Sequence, residues 1–267
     1  MKLLIWTTGN NFTPSMLYKE NYLIDAAIMN GDKVIVFANE YTYIHGKTAT
    51  APANEVVNGY TLQRFPYQNF GINIITSRIR KIKGIEDEII KEKPDLIFIN
   101  CAQIYNIKNL KKIKSALPDT KIVLDFSTKY LNSARNWISK NILHRCIYRA
   151  WIQKALPYVD RVFYISEESK IFAQEMYGIP EHLMDHNNLP GETINPNTKQ
   201  ENKKEIFQKL KLKPDDILIL YSGKIYPEKK VDNLVRAFSR NNNPRLKLLI
   251  IGVYTEDSQR NIIEPVI

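Results

Sequence analysis

Two lysines follow a short apolar strand close to the end of the sequence. In the stretch YSGKIYPEKKVDNLVRAF (221–238), Lys224 comes directly after Gly223, and Lys224 and Lys229 flank a rigid Ile-Tyr-Pro segment before a predicted helix. Glycine lets the backbone turn tightly and lets a ligand approach it. Two ammonium groups beside the free N–H groups of a helix N-terminus suit a diphosphate. The spacing therefore predicts a diphosphate site, and a plain strand–turn–helix with surface lysines is the alternative.

A second concentration of functional side chains lies at residues 126–159. This segment contains no Asp or Glu. Its basic residues are Lys129, Arg135, Lys140, Arg145, Arg149 and Lys154. Between them stand Trp137, Ile138, Ile142, Leu143, Ile147, Trp151 and Ile152. The mixture suits an anionic membrane surface or a lipid-diphosphate acceptor. The apolar residues do not share one helical face, however, which favours a mostly buried helix with a few exposed charges.

The overall charge also favours anionic partners. The 267 residues include 38 Lys and Arg against 28 Asp and Glu, a formal net charge of +10. Such a balance is typical of proteins that meet nucleic acid, anionic membranes or nucleotide-linked substrates, and a solvated lysine-rich surface is the other interpretation. The sequence has no ordered aromatic–basic pattern of an RNA or single-strand reader, so nucleic acid is not an expected partner.

The sequence lacks the usual motifs of metal and cofactor chemistry. Cys101 and Cys146 are its two cysteines and have no metal-ligand spacing. Cys101 ends an apolar run and is predicted to be a small buried hydrophobe in a reducing compartment. His182 and His186 lack the glutamate and helical context of a zinc protease. Without an Asp-x-Asp, a Gly-x-Gly-x-x-Gly or a Walker loop, we expect neither a metal nor a cofactor.

The N-terminus has an apolar core of only four residues, Leu3 to Trp6. This core is too short for a signal peptide, and no later run approaches the roughly 18 residues of a membrane span. We therefore expect a cytoplasmic protein, with peripheral contact at the inner membrane face as its form of membrane association.

The elements that must position these residues alternate between strands and helices. Runs rich in Ile, Val, Leu and Phe predict strands at 2–6, 33–38, 95–100, 121–126 and 161–166. The runs are apolar on both faces, as buried parallel strands are. Repetition of strand, helix and strand predicts an α/β fold with a doubly wound parallel sheet.

Helix and turn signals stand between the strands. Thr13 is predicted as an N-cap with Pro14 at the first helical position, and Gly31 lies just past the end of that helix. Residues 40–65 have no helical period. They predict an irregular strand-and-loop region with an Asn-Gly turn at 58–59.

Changes of composition predict the domain organisation. Residues 1–190 form an N-terminal Rossmann-like domain, residues 191–215 a linker with a short helix, and residues 216–267 the start of a second domain of the same architecture. A doubly wound domain usually has about 100–150 residues. The second domain is therefore predicted to be incomplete.

The stretch 221–238, followed by LKLLIIG, resembles the signature of family-4 glycosyltransferases of the GT-B fold. In that family a strand is followed by Ser/Gly-Gly, a basic residue, Pro-Glu-Lys and a helix. EKPDLIFIN, PYVDRVFYISEESKIFAQEMYGIP and LLIWTTGN resemble the acceptor-side domain of the same family, so the resemblance covers nearly the whole chain. It implies two Rossmann-like domains, the second incomplete, with a nucleotide-sugar donor in the cleft between them.

The resemblance also implies the donor-binding residues. Lys224 and Lys229 would hold the donor diphosphate, with lysine at the first position, where the family more often has arginine. Gly223 would let the donor approach the strand end. Gly9, on the first loop, would bring its backbone close to the donor phosphate and the acceptor.

Asp125, near the end of the strand predicted at 121–126, is the catalytic candidate. Many relatives carry a histidine on the loop after this strand, whereas this sequence has no histidine in reach there. Asp125 is the only carboxylate available at that place. It would stabilise an oxocarbenium-like transition state or orient an acceptor hydroxyl, and an aspartate that caps the strand end or a turn is the alternative.

An Asn-Ser-Ala-Arg-Asn run at 132–136 resembles a subgroup that acts in surface-polysaccharide assembly. The acceptor or membrane candidates are Arg135, Asn136, Lys140 and Arg145. The resemblance implies a retaining, metal-independent transfer of a sugar from a nucleotide-sugar to a polysaccharide or lipid-linked acceptor. The family's C-terminal elements do not occur before residue 267, so we expect a fragment or a truncated product. A non-catalytic remnant, an acceptor- or membrane-binding module and a GT-B sugar-nucleotide epimerase are the alternatives.

Overall fold

The structure is a computed structural model that describes residues 1–14, 16–44, 47–57, 59–191, 195–254 and 263. The chain divides into two compact units, Met1–Gly191 and Glu192–Ile267. Each unit is described by itself below.

Unit 1 contains ten strands and six α-helices among its described residues. The strands are β1 Lys2–Thr7, β2 Lys33–Asn39, β3 Tyr41–Ile44, β4 Lys47–Thr50, β5 Asn54–Val57, β6 Tyr60–Phe65, β7 Leu96–Asn100, β8 Lys121–Phe126, β9 Arg161–Tyr164 and β10 Met184–His186. The helices are α1 Lys19–Met29, α2 Asn73–Ile79, α3 Ile85–Glu92, α4 Leu110–Ala116, α5 Arg149–Ala155 and α6 Glu167–Phe172. Two π-helical segments, Ser139–Tyr148 and Ala173–Tyr177, adjoin α5 and α6 respectively.

The main sheet has eight strands in the order β10-β9-β8-β7-β1-β2-β6-β5. All its neighbouring pairs are parallel except β5 with β6, and β3 pairs with β4 in a separate antiparallel ribbon. The predicted α/β fold with a doubly wound parallel sheet is confirmed. From β1 the chain first builds outward through β2 and β6, and then returns to build through β7 and β8. The strand order therefore reverses between β1 and β7, which is where open α/β sheets bind ligands.

Both faces of this sheet are buried, as the apolar runs predicted. Leu4 and Trp6 of β1 point into one cluster, which also contains Ile89 of α3 and Ile113 of α4. Their neighbours Leu3 and Ile5 belong to the opposite cluster, together with Ile24 of α1. Alternate side chains of one strand thus enter different halves of the core, which is why β1 has no polar face.

The first helix begins later than the sequence predicted. Thr13 does not cap it, because its hydroxyl accepts a hydrogen bond from the Tyr43 N–H at 3.0 Å and lies 3.0 Å from the Thr42 hydroxyl. The threonine therefore ties the loop after β1 to β3, and α1 starts at Lys19 with Tyr18 at the N-cap. Gly31 follows the end of α1 with φ of 81°, as expected for a glycine beyond a helix end.

The region predicted as irregular, 40–65, forms the strands β3 to β6 with their connections. The predicted Asn-Gly turn lies partly outside the described residues, because Asn58 is not among them. Gly59 itself has φ of 89°, which a glycine adopts without strain.

Unit 2 is smaller in its described part. It contains α7 Pro196–Lys209, β11 Ile217–Ser222, α8 Val231–Ser239 and β12 Leu246–Ile251. The two strands are parallel, with Ile217 beside Leu246 and Ser222 beside Ile251. Val231 and Val235 of α8 are buried against Ile225, and Leu234 and Phe238 are half-buried. These side chains, spaced at i, i+3, i+4 and i+7, form the face that the helix turns to the sheet.

Two glycines let the ends of β11 and β12 approach each other closely. Gly223 has φ of 151° and donates its N–H to the Ile251 carbonyl at 2.9 Å. A Cβ atom placed on Gly252 would lie 1.9 Å from the Gly223 carbonyl oxygen. Because that distance is far inside van der Waals contact, no side chain fits at position 252 without moving the backbone.

We predict that Gly252→Ala loosens this strand pair. Overpacking of this kind costs about 1–3 kcal/mol, so the amide protons of β11 and β12 should exchange faster by roughly tenfold or more. Hydrogen exchange followed by mass spectrometry measures this locally. Gly191→Ala is the matched control, since nothing lies within 4 Å of a Cβ there. Unchanged exchange in the Gly252 variant would contradict the close approach.

Candidate functional site

The loops after β1 and β7 meet at the point where the strand order reverses. A Cβ atom on Gly9 would lie only 2.7 Å from the Cys101 sulfur, so a glycine is needed for the two loops to touch. Asn39, at the end of β2, supports the first loop, because its side-chain amide donates to the Asn10 carbonyl at 2.9 Å. Gly9 was predicted to make a close approach on this loop. The structure places it against Cys101, and its contact with donor and acceptor stays a prediction.

An open cavity of about 230 Å³ lies beside these loops. The loops after the strands contribute Asn10, Cys101, Gln103, Ser127 and Thr128. The helical segments contribute Arg78, Arg80, Leu143, His144 and Tyr148, and Asn132 and Ser133 complete the lining. None of these residues is acidic. Cys101 was predicted to be buried, but it is half-exposed in this cavity with φ of 73°, so that prediction is wrong.

A chain of hydrogen bonds crosses the floor of the cavity. The Cys101 thiol donates to Gln103 Oε1 at 3.0 Å. The same amide donates through Nε2 to the Thr128 hydroxyl at 2.9 Å and to the Tyr177 hydroxyl at 3.1 Å. The Tyr177 oxygen lies 2.6 Å from Nδ1 of His144. Since that oxygen accepts from Gln103, its own proton is directed at the histidine nitrogen.

His144 is therefore a neutral hydrogen-bond donor to the cavity. Its pKa is lowered from 6.5 to about 4, mainly by burial and in smaller part by the positive charges of Arg78 and Arg80. Burial also raises the pKa of Tyr177, so the phenol keeps its proton. With Nδ1 accepting from Tyr177, the imidazole proton sits on Nε2, and no described residue takes a hydrogen bond from it.

The prediction that no histidine lies in reach of the strand end is thus wrong. His144 is remote from Ser127 in sequence, but the π-helical segment returns it to the loop after β8. Long π-helical stretches are rare and often mark functional sites. With the period of an α-helix, the apolar residues of this segment do not share one face. The segment is π-helical, and its period differs from that of an α-helix.

Arg78 and Arg80 were also missed, because they stand at the end of the exposed helix α2 and no motif surrounds them. Arg80 has φ of 51°, and its guanidinium lies 3.4 Å from the Cys101 sulfur. The Arg78 carbonyl accepts the Tyr148 hydroxyl proton at 2.8 Å, which fastens this loop to the π-helical segment. In the described part of the chain, neither guanidinium has a carboxylate partner.

Asp125 lies beside the cavity but does not line it. Its side chain is fully buried and forms an ion pair with Lys19 at the start of α1. Glu20 is a second buried carboxyl near it, so the expectation of one carboxylate at this place is wrong. Burial raises the pKa of Glu20, and the charge of Asp125 adds to this effect. Contact of Asp125 with a substrate stays a prediction, and the structure gives this residue a structural partner.

None of the four acceptor or membrane candidates is among the residues that line the cavity. Asn136 accepts the Ser139 N–H through Oδ1 at 2.8 Å, where the π-helical segment begins. The Lys140 ammonium lies 5.6 Å from the centre of the Tyr130 ring. Arg135 and Arg145 are exposed. Their contact with an acceptor or a membrane stays a prediction.

Apolar side chains of the same segment are exposed as well. Trp137, Ile138 and Ile142 are exposed to 70%, 65% and 44%, whereas Tyr148 and Ile152 further along are buried. The prediction of a mostly buried helix is therefore wrong for the first half of the segment. Within the described ranges, no helix is both long enough and apolar enough to cross a bilayer.

The predicted diphosphate residues of unit 2 follow β11. Lys224 and Lys229 are both exposed, and no described carboxylate pairs with either. The Lys224 carbonyl accepts the Tyr221 hydroxyl proton at 2.9 Å, and the Lys229 ammonium lies 5.9 Å from the Tyr226 ring centre. A single 3₁₀ turn, Pro227–Lys229, precedes α8. Lys230 has φ of 53°, and α8 begins after it at Val231.

Comparison with known proteins agrees with this architecture. Residues 202–264 match the family model described as Glycosyl transferases group 1. Similar solved structures include Anabaena Alr3699/HepE in complex with UDP, the catalytic domain of Starch Synthase IV from Arabidopsis thaliana bound to ADP and acarbose, and the lipopolysaccharide outer core galactosyltransferase WaaB in its apo form. Their TM-scores are 0.56, 0.60 and 0.57, at identities of 13%, 12% and 12%. The alignments cover 99%, 97% and 100% of this chain, and 66%, 70% and 65% of those chains.

At such identities the likeness concerns the fold, which is that of GT-B glycosyltransferases. The chain spans 64–66% of the length of the Anabaena Alr3699/HepE structures. A search of curated proteins finds no significant match.

We predict that His144 makes stability depend on pH. Its pKa is lowered in the folded state, so between pH 6.5 and about 4 the unfolded chain binds a proton that the folded chain does not. The contribution is complete above pH 6.5 and is lost as the pH falls toward 4. The unfolding free energy of the wild type should therefore fall by about 1 kcal/mol more than that of His144→Leu over this window.

Urea unfolding at several pH values measures the difference. His182→Leu, at an exposed position, is the matched control and should follow the wild type. Parallel pH profiles for the wild type and His144→Leu would show that the imidazole is not held neutral.

Proposed function

We propose that the chain acts in glycosyl transfer, moving a sugar from a nucleotide-sugar donor to a polysaccharide or lipid-linked acceptor. The observation that carries this proposal is the position of Lys224 and Lys229. They lie inside the residues that match group 1 glycosyltransferases, 202–264, at the carboxyl end of a parallel strand. Structures of similar fold were solved with UDP, UDP-glucose or ADP, which favours a nucleoside diphosphate as the common part of the donor.

The two lysines would act on the leaving group. When the bond between sugar and diphosphate breaks, negative charge develops on the diphosphate, and nearby fixed ammonium groups stabilise it. Both ammonium groups lack a carboxylate partner among the described residues, so no internal ion pair must break before they bind the donor. Gly223, with its positive φ, leaves the strand end open to the donor. We expect a hexose donor, retention of configuration and no metal.

Unit 1 would hold the acceptor. Its cavity lies where the strand order reverses and presents hydroxyl, amide and imidazole groups that can orient a sugar hydroxyl. Positioning of this kind supplies a large part of the rate in group-transfer reactions. Gly9 borders the same place and keeps its proposed role near the donor phosphate. Asp125, through its ion pair with Lys19, would hold the start of α1 in position beside this site.

We predict that Lys224→Ala and Lys229→Ala each weaken nucleotide-sugar binding by about tenfold, the usual loss for a charge-assisted contact to a phosphate. Isothermal titration of the chain with UDP-glucose and ADP-glucose measures the affinity. Lys204→Ala, on the exposed surface of α7, is the matched control. Equal affinities in both variants and the wild type would remove these lysines from the donor site.

Absence of donor binding by the wild type, together with acceptor binding, would favour the acceptor-binding module or remnant. Conversion of one sugar-nucleotide into its epimer would favour the epimerase.

A second proposed property is peripheral contact with an anionic membrane, at the inner face of a cytoplasmic membrane. Exposed Trp137, Ile138 and Ile142 stand beside the basic side chains of Lys140 and Arg145. Apolar side chains among positive charges are what an anionic lipid interface binds. A lipid-linked acceptor would be reached from that surface.

We predict that the chain binds vesicles of phosphatidylcholine with phosphatidylglycerol, and that Trp137→Ala weakens this binding by about tenfold. Trp137 emission should shift to the blue on binding, because the indole leaves water. Leu189→Ala, an apolar residue exposed at another place, is the matched control. Equal binding to vesicles with and without phosphatidylglycerol, or no effect of the Trp137 change, would contradict the membrane contact.

A further inference from the structure

The cavity of unit 1 has an excess of positive charge with no counter-charge. Arg78 and Arg80 line it, and no lining residue is acidic. Three arginines elsewhere in the protein are paired with carboxylates: Arg64 with Glu55, Arg161 with Asp185, and Arg245 with Asp215. Arg78 is exposed, as are the unpaired Arg145, Arg149, Arg236 and Arg240 of the described surface, whereas Arg80 is half-buried. Within the described residues, Arg78 and Arg80 have no such partner.

The surroundings of Arg80 make the missing counter-charge informative. Its side chain is half-buried against Cys101, with the guanidinium 3.4 Å from the sulfur and Nε donating to the Ser77 carbonyl at 3.0 Å. A guanidinium that is partly removed from water without an anionic partner is costly, and an anion bound beside it would offset that cost. The left-handed backbone at Arg80, with φ of 51°, adds a conformational cost at the same residue.

Other side chains that line the cavity can donate hydrogen bonds. His144 presents Nε2–H, because Nδ1 is engaged by Tyr177. The hydroxyl groups of Ser127 and Ser133 also line the cavity. Donors that come from several elements suit an anion with oxygens in several directions. A planar carboxylate is satisfied by one guanidinium fork, whereas a phosphoryl group offers three oxygens.

We propose that the cavity of unit 1 is a phosphoryl-binding site, in which Arg78, Arg80 and His144 hold a phosphate group of the acceptor. The assignment to the acceptor rests on the glycosyl transfer proposed above, whereas the binding of a phosphoryl group does not. The site uses side chains of unit 1, and the proposed donor diphosphate site uses the lysines of unit 2. A phosphate group on the acceptor would anchor it and leave the reacting hydroxyl to be positioned by the neighbouring polar groups.

The test uses the full chain with Lys224→Ala and Lys229→Ala, so that the proposed donor lysines do not contribute. Isothermal titration with inorganic pyrophosphate and with farnesyl diphosphate measures binding. We expect saturable binding in this background, weakened about tenfold or more by Arg80→Gln and by Arg78→Gln. Arg161→Gln, on the surface of the same unit, is the matched control.

Because a variant can fail by unfolding, the His144 imidazole is observed as well. Its Nε2–H resonance in ¹⁵N-histidine-labelled protein should shift when pyrophosphate is added.

Equal pyrophosphate affinity with and without the two arginine changes, or an unmoved His144 resonance at saturation, would overturn the proposal. Farnesyl diphosphate that binds about tenfold tighter than pyrophosphate would assign the phosphate to a lipid headgroup, and equal affinities would assign it to a phosphorylated sugar. Both results support the site. Failure of the donor proposal is seen separately, as nucleotide-sugar binding that is indifferent to Lys224 and Lys229 in the otherwise unchanged chain.

Discussion

The contact between the loops after β1 and β7 is the constraint on which the site of unit 1 depends. The sheet builds outward from β1 on one side and from β7 on the other, so these two strand ends face each other without a direct connection. Gly9 and Cys101 are so close that no side chain fits on the first. A crevice at the edge of the sheet follows from this approach, and Arg80, Gln103 and Asn10 border it. A bulkier residue at position 9 would separate the loops and change the cavity.

The distribution of charge around that crevice is uneven, and the fold explains how. The acidic groups near it are neutralised or screened by burial: Asp125 is paired with Lys19, and Glu20 has a raised pKa. Arg78 and Arg80 are left with no acidic partner among the described residues, and the His144 imidazole in the same cavity is kept neutral. The cavity therefore offers donors and positive charge, in a protein whose total charge is already +10. Anionic groups on both proposed substrates are consistent with this balance, because each unit presents its own pair of cationic side chains.

The parts of the fold that were predicted correctly depend on local patterns. Each buried strand of the main sheet carries a continuous apolar run, since both of its faces are covered, and such a run is visible in sequence. The apolar face of α8 is also visible in sequence, because its residues recur at i, i+3, i+4 and i+7. The start of α1 was predicted wrongly because Thr13, a good N-cap by type, is used by β3, which sequence spacing does not reveal. Trp137 and Ile138 were assigned to a buried helix because hydrophobicity alone does not tell which side of a segment meets the core.

By itself, the sequence determined the apolar strands β1, β2, β7, β8 and β9, their parallel pairing and the Gly-Lys turn after β11, because these depend on residue type and short spacing. The tertiary structure decided which distant residues share a cavity. His144 reaches Ser127 through a π-helical segment, Arg80 reaches Cys101 from another loop, and Asp125 finds Lys19 across the unit. Side chains from separate elements meet only when the carboxyl ends of the strands bring their backbones together. The spacing of residues along the sequence does not reveal such distances.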